Sequence, residues 1–274
     1  IIGSYIVFQQ VDFMVNKNIG FNGSQVLSVN LSEAKKPKDF EMIQNELLKI
    51  KGVEKVSAGN FSFGYGGYFS SVFECNGTDV EVDNMSMEFG MLDLMKIKIV
   101  QGRDLSPKFA SDTINSVLLN QEAVKMMGEK NPIGKEFEVR DDGENPGIRR
   151  LKIVGVVEDF NVYGPQKKTS PMLFYHLKTI SESSFLTRIY VKMDPINSDA
   201  TISEIEKFWI TKIDTRYPFW YEFVDKSFAR TYSEYISQRN LFSLLNIIVI
   251  LIALFGLFSL ASYSIERRMK EIAI

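Results

Sequence analysis

An uncharged apolar run near the C-terminus constrains this chain more than any other feature. Residues Leu241 to Tyr263 read LFSLLNIIVILIALFGLFSLASY and contain no Asp, Glu, Lys or Arg. A helix of this length spans about 34 Å at roughly 1.5 Å per residue, enough to cross the hydrocarbon core of a bilayer. A buried core helix of a soluble protein is the alternative, but such long uncharged runs are typical of membrane spans. The sequence therefore predicts a transmembrane helix at 241–263, with Asn246 facing another helix that supplies a hydrogen-bond partner.

Basic residues on both sides of the run predict its orientation. Arg267, Arg268 and Lys270 follow it within a short stretch, whereas Arg230 and Arg239 precede it at wider spacing. Short segments rich in Lys and Arg favour the cytoplasmic side of a membrane. We therefore expect the C-terminal end to lie inside the cell and the long polar region before the run to lie outside.

The N-terminal segment 1–20 opens with an apolar run, residues 1–8, which is far too short to span a bilayer by itself. Apolar residues recur in it at helical spacing, so we interpret it as the outer end of a preceding membrane helix. A buried N-terminal strand is the alternative. Because the chain starts at Ile1 and stops within an apparent helix, we expect it to be part of a longer protein.

Two β-α-β units frame the region between the apolar segments. Their predicted strand, helix and strand are 25–31, 37–51 and 53–58 in the first unit, and 188–193, 199–215 and 221–224 in the second. Two such units around a shared sheet predict an α+β lobe built from both ends of the region.

The middle of this region has a different pattern. Short apolar strands separated by turns, including a hairpin around Asn76-Gly77, indicate a strand-rich lobe inserted into the first lobe. We therefore predict an α+β fold with a two-lobed domain at 21–226, followed by a stalk and transmembrane helix at 227–274. The first lobe takes residues 21–62 and 186–226, and the inserted lobe takes residues 63–185.

The segment before the apolar run predicts a stiff connection to the membrane. No Pro or Gly interrupts the chain between Lys226 and Phe255, which indicates one long helix. Such a helix transmits force or rotation, whereas a Gly/Ser linker does not. Three aromatic residues on one face are expected to pack this stalk against its neighbour: Phe228, Tyr232 and Tyr235.

Composition and motifs argue against nucleic-acid binding, metal binding and catalysis. The net charge is −2, without the clustered basic residues that nucleic acids require. His176 is the single histidine, which excludes metal sites with two His ligands, and Cys75 is the single cysteine, which excludes an intramolecular disulfide. The glycine-rich segment 64–68 lacks the Lys-Ser/Thr of a phosphate loop, and the acidic segment 141–145 lacks EF-hand spacing. We predict no catalytic, cofactor or metal site, and a surface or packing role for His176.

Several motifs, taken in order, resemble the MacB/FtsX family of ABC-transporter permeases. They are NIGFN (18–22), VQGRDL (100–105), SVLLNQEA (116–123), NPIGK (131–135), IVGVVEDF (153–160), FVD (223–225) with Tyr232, and ERRMKEIAI (266–274). Their order and spacing beside the apolar run cover nearly the whole chain. The sequence departs from the family pattern at Gln121, where Glu is usual, and at Ala273, where Gly is usual.

The resemblance implies a periplasmic domain with a porter-like lobe and an inserted sabre-like lobe, anchored in the bacterial cytoplasmic (inner) membrane. It implies a permease that works with a second permease copy or half and with an ABC-type ATP-binding subunit, so the chain itself would not be an enzyme. ATP-driven closure inside the cell would move the outer domains for export or extraction of a substrate. A periplasmic adaptor or substrate protein and membrane lipid are the further partners expected. The residues expected to contact the ATPase, or to anchor the topology, are Glu266, Arg267, Arg268, Lys270 and Glu271.

Two other functions are alternatives to the ABC-transporter permease. A transmembrane signalling or regulatory module would control an extracytoplasmic partner such as a cell-wall hydrolase, and the same family includes such proteins. The bulky inserted lobe favours the transporter branch. A membrane-anchored enzyme is disfavoured because the sequence has no catalytic cluster.

Overall fold

The computed structural model describes residues 2–16, 19–35, 37–64, 69–75, 78–141, 147–164, 168–179 and 186–272. The chain divides into two units. The helical unit comprises Ile1–Lys17 and Tyr232–Ile274, and the globular unit comprises Asn18–Thr231. The predicted turn at Asn76-Gly77 and most of the two loops predicted at 64–68 and 141–145 lie outside the described residues.

Helices and strands alternate through most of the described chain. The helices are α1 (Ile2–Asn16), α2 (Pro37–Leu47), α3 (Met91–Met95), α4 (Gln121–Met126), α5 (Ser198–Lys212), α6 (Val224–Ala229) and α7 (Ser233–Ile272), with short 3-10 segments at Ala110–Thr113 and Arg230–Tyr232. The strands are β1 (Val26–Lys35), β2 (Val53–Gly59), β3 (Phe69–Cys75), β4 (Thr78–Met87), β5 (Ile99–Gly102), β6 (Ser116–Asn120), β7 (Glu136–Asp141), β8 (Gly147–Val157), β9 (Met172–His176), β10 (Leu186–Met193) and β11 (Tyr221–Phe223).

The helical unit contains α1 and α7. Among the described residues, Tyr235–Arg268 is the one helical stretch long and apolar enough to cross a membrane, and its most apolar window has 0% of its residues buried within the chain. A core helix of a soluble protein would be covered by its own chain. This stretch is therefore a candidate transmembrane helix, and it includes the span predicted at 241–263. The Arg239 guanidinium lies 5.2 Å from the ring centre of Phe8, which pairs α7 with α1 at this level. The Asn246 amide donates to the Phe242 carbonyl oxygen, 3.0 Å away and one turn earlier. That Asn246 faces another helix stays a prediction.

The connection to α7 is not the single uninterrupted helix that the sequence predicts. The chain forms α6, then a 3-10 segment at Arg230–Tyr232, then α7. No Pro or Gly causes this change. Instead α6 is held by the globular unit, because Phe228 is buried and the Ser227 hydroxyl donates to the Phe63 carbonyl oxygen at 3.1 Å. The tighter 3-10 turn lets the chain leave these contacts before α7 begins.

Four strands contributed by the two ends of the globular unit form a split β-α-β sheet. Their order is β11-β1-β10-β2, and β10 is antiparallel to both of its neighbours. This arrangement of two interlocked β-α-β units is ferredoxin-like, as the two predicted units indicated. Helices α2 and α5 contribute Ile43 and Trp209 to the core on one face of the sheet, where they meet Leu27 and Val191.

The inserted region closes into a small barrel. Its strands follow the order β4-β3-β7-β8-β6-β9, and β9 returns to pair with β4 in parallel. Val82, Leu119 and Leu173 belong to a second hydrophobic core within it. The barrel joins the four-stranded sheet through a single bridge between Gly59 and Met87. The predicted strand-rich lobe is therefore present, and the fold is α+β as predicted.

A buried ion pair organises the loop after β5. The Arg103 guanidinium donates to both carboxylate oxygens of Asp112, at 2.5 and 2.9 Å, and Asp112 is fully buried. Burial alone would raise the pKa of Asp112, but hydrogen bonds from Arg103 and from the Ser106 backbone N–H lower it below its usual range. The neighbouring Asp104 lacks such a pair, and burial raises its pKa to about 6.

Asp104→Asn should stabilise the globular unit at pH 7 and leave it almost unchanged at pH 4. Between about pH 4 and 6 the folded state keeps a proton on Asp104 that the unfolded state has released, so the free energy of unfolding falls as pH rises. The Asn side chain keeps the oxygen that accepts from the Leu105 N–H at 2.7 Å. We expect a gain of about 2 kcal/mol at pH 7, measured by urea denaturation at both pH values. An equal gain at pH 4 would contradict this explanation, and Asp199→Asn at an exposed position of α5 serves as control.

Candidate functional site

The incoming and outgoing ends of the globular unit lie side by side. β1, the first strand, pairs with β11, the last, with Leu27 opposite Phe223. The close packing continues in the segments next to these strands, where a Cβ added to Gly23 would lie 2.6 Å from a methyl group of Val224. Glycine is therefore required at 23, and the segments that follow α1 and precede α7 are packed against each other.

Buried aromatic rings hold these two segments together. We call the set the aromatic junction, and its members are Phe21, Phe61, Phe63, Phe160, Phe174, Tyr190 and Phe228, all buried. The Phe21 ring, from the incoming segment, lies 4.5 Å from Phe63 and 5.3 Å from Phe228 of the outgoing α6, between ring centres. The contact with Phe228 is edge-to-face, the geometry that aromatic quadrupoles favour. The junction thus links both chain connections of the globular unit through direct ring contacts.

The same junction reaches the barrel through the segment 158–164, which follows β8. Phe160 lies 6.3 Å from Phe21 and 5.6 Å from Phe174 of β9, between ring centres. The Asn161 backbone N–H donates to the Ile19 carbonyl oxygen at 2.9 Å, and the Gly64 N–H donates to the Val162 carbonyl oxygen at 2.9 Å. The incoming segment is therefore bonded to a segment that continues directly from the barrel.

Polar contacts fix the two ends of segment 158–164. The Glu122 backbone N–H, at the start of α4, donates to the Asp159 carboxylate at 2.9 Å. At the other end the Tyr163 hydroxyl donates to Asp83 of β4 at 2.7 Å. Burial, then this hydrogen bond to Asp83, raises the pKa of Tyr163, so the phenol remains a donor throughout the physiological range.

The arrangement consists of ring contacts and hydrogen bonds among the described residues. Within these residues, no group of three or more His, Cys, Asp and Glu side chains is placed to hold a metal ion. His176 is buried rather than on the surface, with Nε2 3.0 Å from the Glu88 carboxylate. Its Nδ1 accepts from the Lys178 backbone N–H, so Nε2 carries the proton donated to Glu88. His176 is therefore satisfied by structural hydrogen bonds.

The residues predicted to contact an ATPase lie at the end of α7. Glu266, Arg267 and Arg268 are exposed there, whereas the side chains of Lys270 and Glu271 lie outside the described part of the chain. Their predicted role stays a prediction.

The three aromatic residues predicted to pack the stalk fall in different elements. Phe228 lies on α6 and belongs to the aromatic junction, so it contacts the globular unit. Tyr232 ends the 3-10 segment and Tyr235 lies on α7, and both are partly exposed. For these two tyrosines the packing role stays a prediction.

The aromatic junction could not be predicted from the sequence because its members are far apart along the chain. Phe21 and Phe228 meet across more than two hundred residues, and no local pattern joins them. Two signals were present: a glycine beside an aromatic residue at Gly20-Phe21, and the alternating pair Phe61 and Phe63 at the end of a predicted strand. Each indicates close packing, but neither identifies the partner.

Comparisons with known proteins agree with this architecture. The family model described as "MacB-like periplasmic core domain" matches residues 1–208. The periplasmic region of MacB from Actinobacillus actinomycetemcomitans is similar with a TM-score of 0.55 at 18% identity, covering 77% of this chain and 94% of that one. The extracellular domain of the noncanonic ABC-type transporter YknZ from Gram-positive bacteria is similar with a TM-score of 0.51 at 15% identity, covering 72% and 98%. At these identities the two structures show a shared fold. No curated protein sequence matches the chain.

Proposed function

Because the chain belongs to the MacB-like periplasmic core domain family, whose members are parts of ABC-type transporter permeases, we propose that it couples ATP hydrolysis by a partner subunit to motion of its globular unit. In this proposal the globular unit is extracytoplasmic, in the periplasm beyond the inner membrane, and α7 crosses that membrane. The motion serves export or extraction of a substrate outside the cell. A second permease copy or half completes the machine, and the chain has no catalytic role of its own.

The aromatic junction is the observation that carries this proposal. A displacement of either membrane-connected segment moves Phe21 or Phe228, whose rings contact each other, and the Phe21 ring also contacts Phe63. Close-packed interiors have low compressibility, so such a displacement passes to neighbouring groups instead of being absorbed. Segment 158–164 then carries it to the barrel through Phe160.

The far end of α7 supports a cytoplasmic contact. At about 1.5 Å per residue this helix is about 60 Å long, which exceeds the hydrocarbon core and leaves turns on both sides. Arg267 and Arg268 lie on its last exposed turns. We propose that these turns, with Glu266, Lys270 and Glu271, meet the ATPase.

A flexible insertion tests the coupling. In the full-length permease reconstituted with its ATPase, four Gly/Ser residues are inserted between Thr231 and Tyr232, at the 3-10 segment before α7. We expect ATP-dependent distance changes in the globular unit, measured between spin labels, to fall at least fivefold while ATP hydrolysis continues. The reason is that a Gly/Ser linker behaves as a flexible coil and absorbs the displacement.

A four-residue insertion in the loop beside Asn131 is the control, because this loop is exposed and away from the junction. It should leave the distance changes intact. If the insertion at 231–232 also leaves them intact, coupling through the outgoing segment is refuted.

A further inference from the structure

The four-stranded sheet has one face that its own helices do not cover. Leu27 of β1 with Ile189 and Val191 of β10 belong to the core beneath α2 and α5. Because side chains alternate along a strand, Arg188 and Tyr190 point to the opposite face. Tyr190 is covered there by Phe61, whose ring stacks at 5.9 Å. Beyond Tyr190 the face carries half-buried and exposed side chains.

One row across this open face combines an exposed indole with a guanidinium. Asn30 of β1 is opposite Arg188 of β10, and its backbone N–H donates to the Trp220 carbonyl oxygen at 3.2 Å. The rings of Phe219 and Tyr221 contact each other at 5.1 Å, and Phe219 packs on Trp209 of α5. Trp220 therefore lies on the face away from α5. We call Trp220, Asn30 and Arg188 the Trp–Arg row.

The Arg188 guanidinium has N–H groups that no carboxylate of the described residues accepts. Among the described residues no carboxylate lies within ion-pairing distance of Arg188, and its guanidinium donates a long 3.4 Å hydrogen bond to the Ser28 hydroxyl. The carboxylate of Glu222, in the adjacent row of the same face, is already paired with Arg230. A half-buried guanidinium favours a carboxylate, which it binds in a bidentate manner.

Trp220 is 67% exposed although large aromatic side chains are normally covered. Trp and Arg together are the residues most enriched at the energetic centres of protein interfaces. Trp220 and Arg188 are two strand spacings apart, which is about 10 Å. A peptide segment of three extended residues has about the same length. The row is thus suited to an apolar side chain and a carboxylate on one short peptide segment.

The position and charge of the row select among occupants. All three residues of the row belong to the globular unit, which the proposed function places outside the membrane. This favours a soluble extracytoplasmic protein over a lipid headgroup. A second copy of the chain is disfavoured, because a two-fold contact centred on this row would bring two Arg188 side chains together.

From these observations we propose that the Trp–Arg row is a docking site for a segment of an extracytoplasmic protein in which an Asp or Glu lies beside an aromatic or aliphatic residue. Arg188 binds the carboxylate, Trp220 covers the apolar side chain, and Asn30 hydrogen-bonds the segment between them. The site does not depend on ATP hydrolysis, so it can be tested apart from the coupling proposed above.

The test is a peptide selection on the full chain in lipid nanodiscs. A random heptapeptide library displayed on phage is selected on the wild-type chain after depletion on empty nanodiscs. Enriched sequences are synthesised with a fluorophore, and their binding is measured by anisotropy. We expect enrichment of Asp or Glu beside an apolar residue, and at least tenfold weaker binding to Arg188→Gln and to Trp220→Ala. Replacing the peptide carboxylate by its amide should weaken binding to the wild type by the same factor.

Two further variants keep the result decisive. Ile196→Ala removes another exposed apolar side chain, 70% exposed in the β10–α5 turn, and should leave binding unchanged. Asn30→Asp places a carboxylate beside Arg188 while keeping both Arg188 and Trp220. It should weaken the binding of acidic peptides at least fivefold even if Arg188→Gln fails to fold. The proposal is overturned if no peptide is enriched, if the enriched peptides lack acidic residues, or if they bind Asn30→Asp as well as the wild type.

Discussion

Phe228→Ala is expected to lower the free energy of unfolding of the globular unit by about 3–4 kcal/mol. The ring is 3% exposed and lies edge-on to Phe21, so its removal leaves a cavity where the outgoing segment meets the incoming one. Hydrogen exchange in nanodiscs should show the largest loss of protection at residues 19–23 and 60–64. In the reconstituted permease the same variant should reduce ATP-dependent motion of the globular unit.

The exposed Phe109 provides a matched control for this variant. Its ring is 47% exposed, and the Arg103 guanidinium lies 3.9 Å from the ring centre. Phe109→Ala should cost about 1 kcal/mol or less. A double-mutant cycle between Phe21 and Phe228 should give a coupling energy of about 1 kcal/mol. Additive effects would show that the two chain connections are not energetically linked through these rings.

Gly20→Ala is the second large effect, and it should cost about 3 kcal/mol or more. Gly20 has φ +83°, and a Cβ there would lie 2.6 Å from the Phe160 Cβ and 2.7 Å from the Asp159 carbonyl oxygen. To relieve this steric overlap, the incoming segment must move away from segment 158–164. The measurement is urea denaturation of the globular unit, with exchange at Asn161 as the local probe, because its N–H bonds to Ile19.

Gly134→Ala separates steric overlap from backbone strain. Gly134 has φ +85°, nearly the same as Gly20, but a Cβ there would meet nothing within 4 Å. It should therefore cost only the strain of a left-handed conformation, about 1 kcal/mol. Equal effects of the two substitutions would mean that the contact between Gly20 and segment 158–164 contributes little.

Local pattern was enough to predict the elements at both ends of the globular unit. Phe40, Ile43 and Leu47 recur at helical spacing, and Gly52 follows. Neighbouring residues are therefore enough to predict the helix and its end. The apolar run of α7 is likewise a property of composition over a short window. The family resemblance rested on motif order, and the matched family model confirms it.

Long-range pairing was beyond sequence reasoning. Closure of the barrel depends on the parallel pairing of β4 with β9, about ninety residues later, and short apolar strands do not specify their partners. The break between α6 and α7 has no Gly or Pro to reveal it, because tertiary contacts of Phe228 and Ser227 produce it. The Trp–Arg row has no local pattern either, since its residues come from β1, from β10 and from the position just before β11.

The pairing of the first strand with the last has an evolutionary consequence. Leu27 and Phe223 are paired, so the two strands that connect the globular unit to the rest of the chain lie only about 5 Å apart. A cassette with such closely spaced ends can be enlarged, trimmed or replaced without altering the separation of the helices that flank it. The barrel between β2 and β10 is itself an insertion of this kind, again placed between adjacent strands. This nested construction lets such a domain change its inserted part while the strands next to its chain connections stay the same.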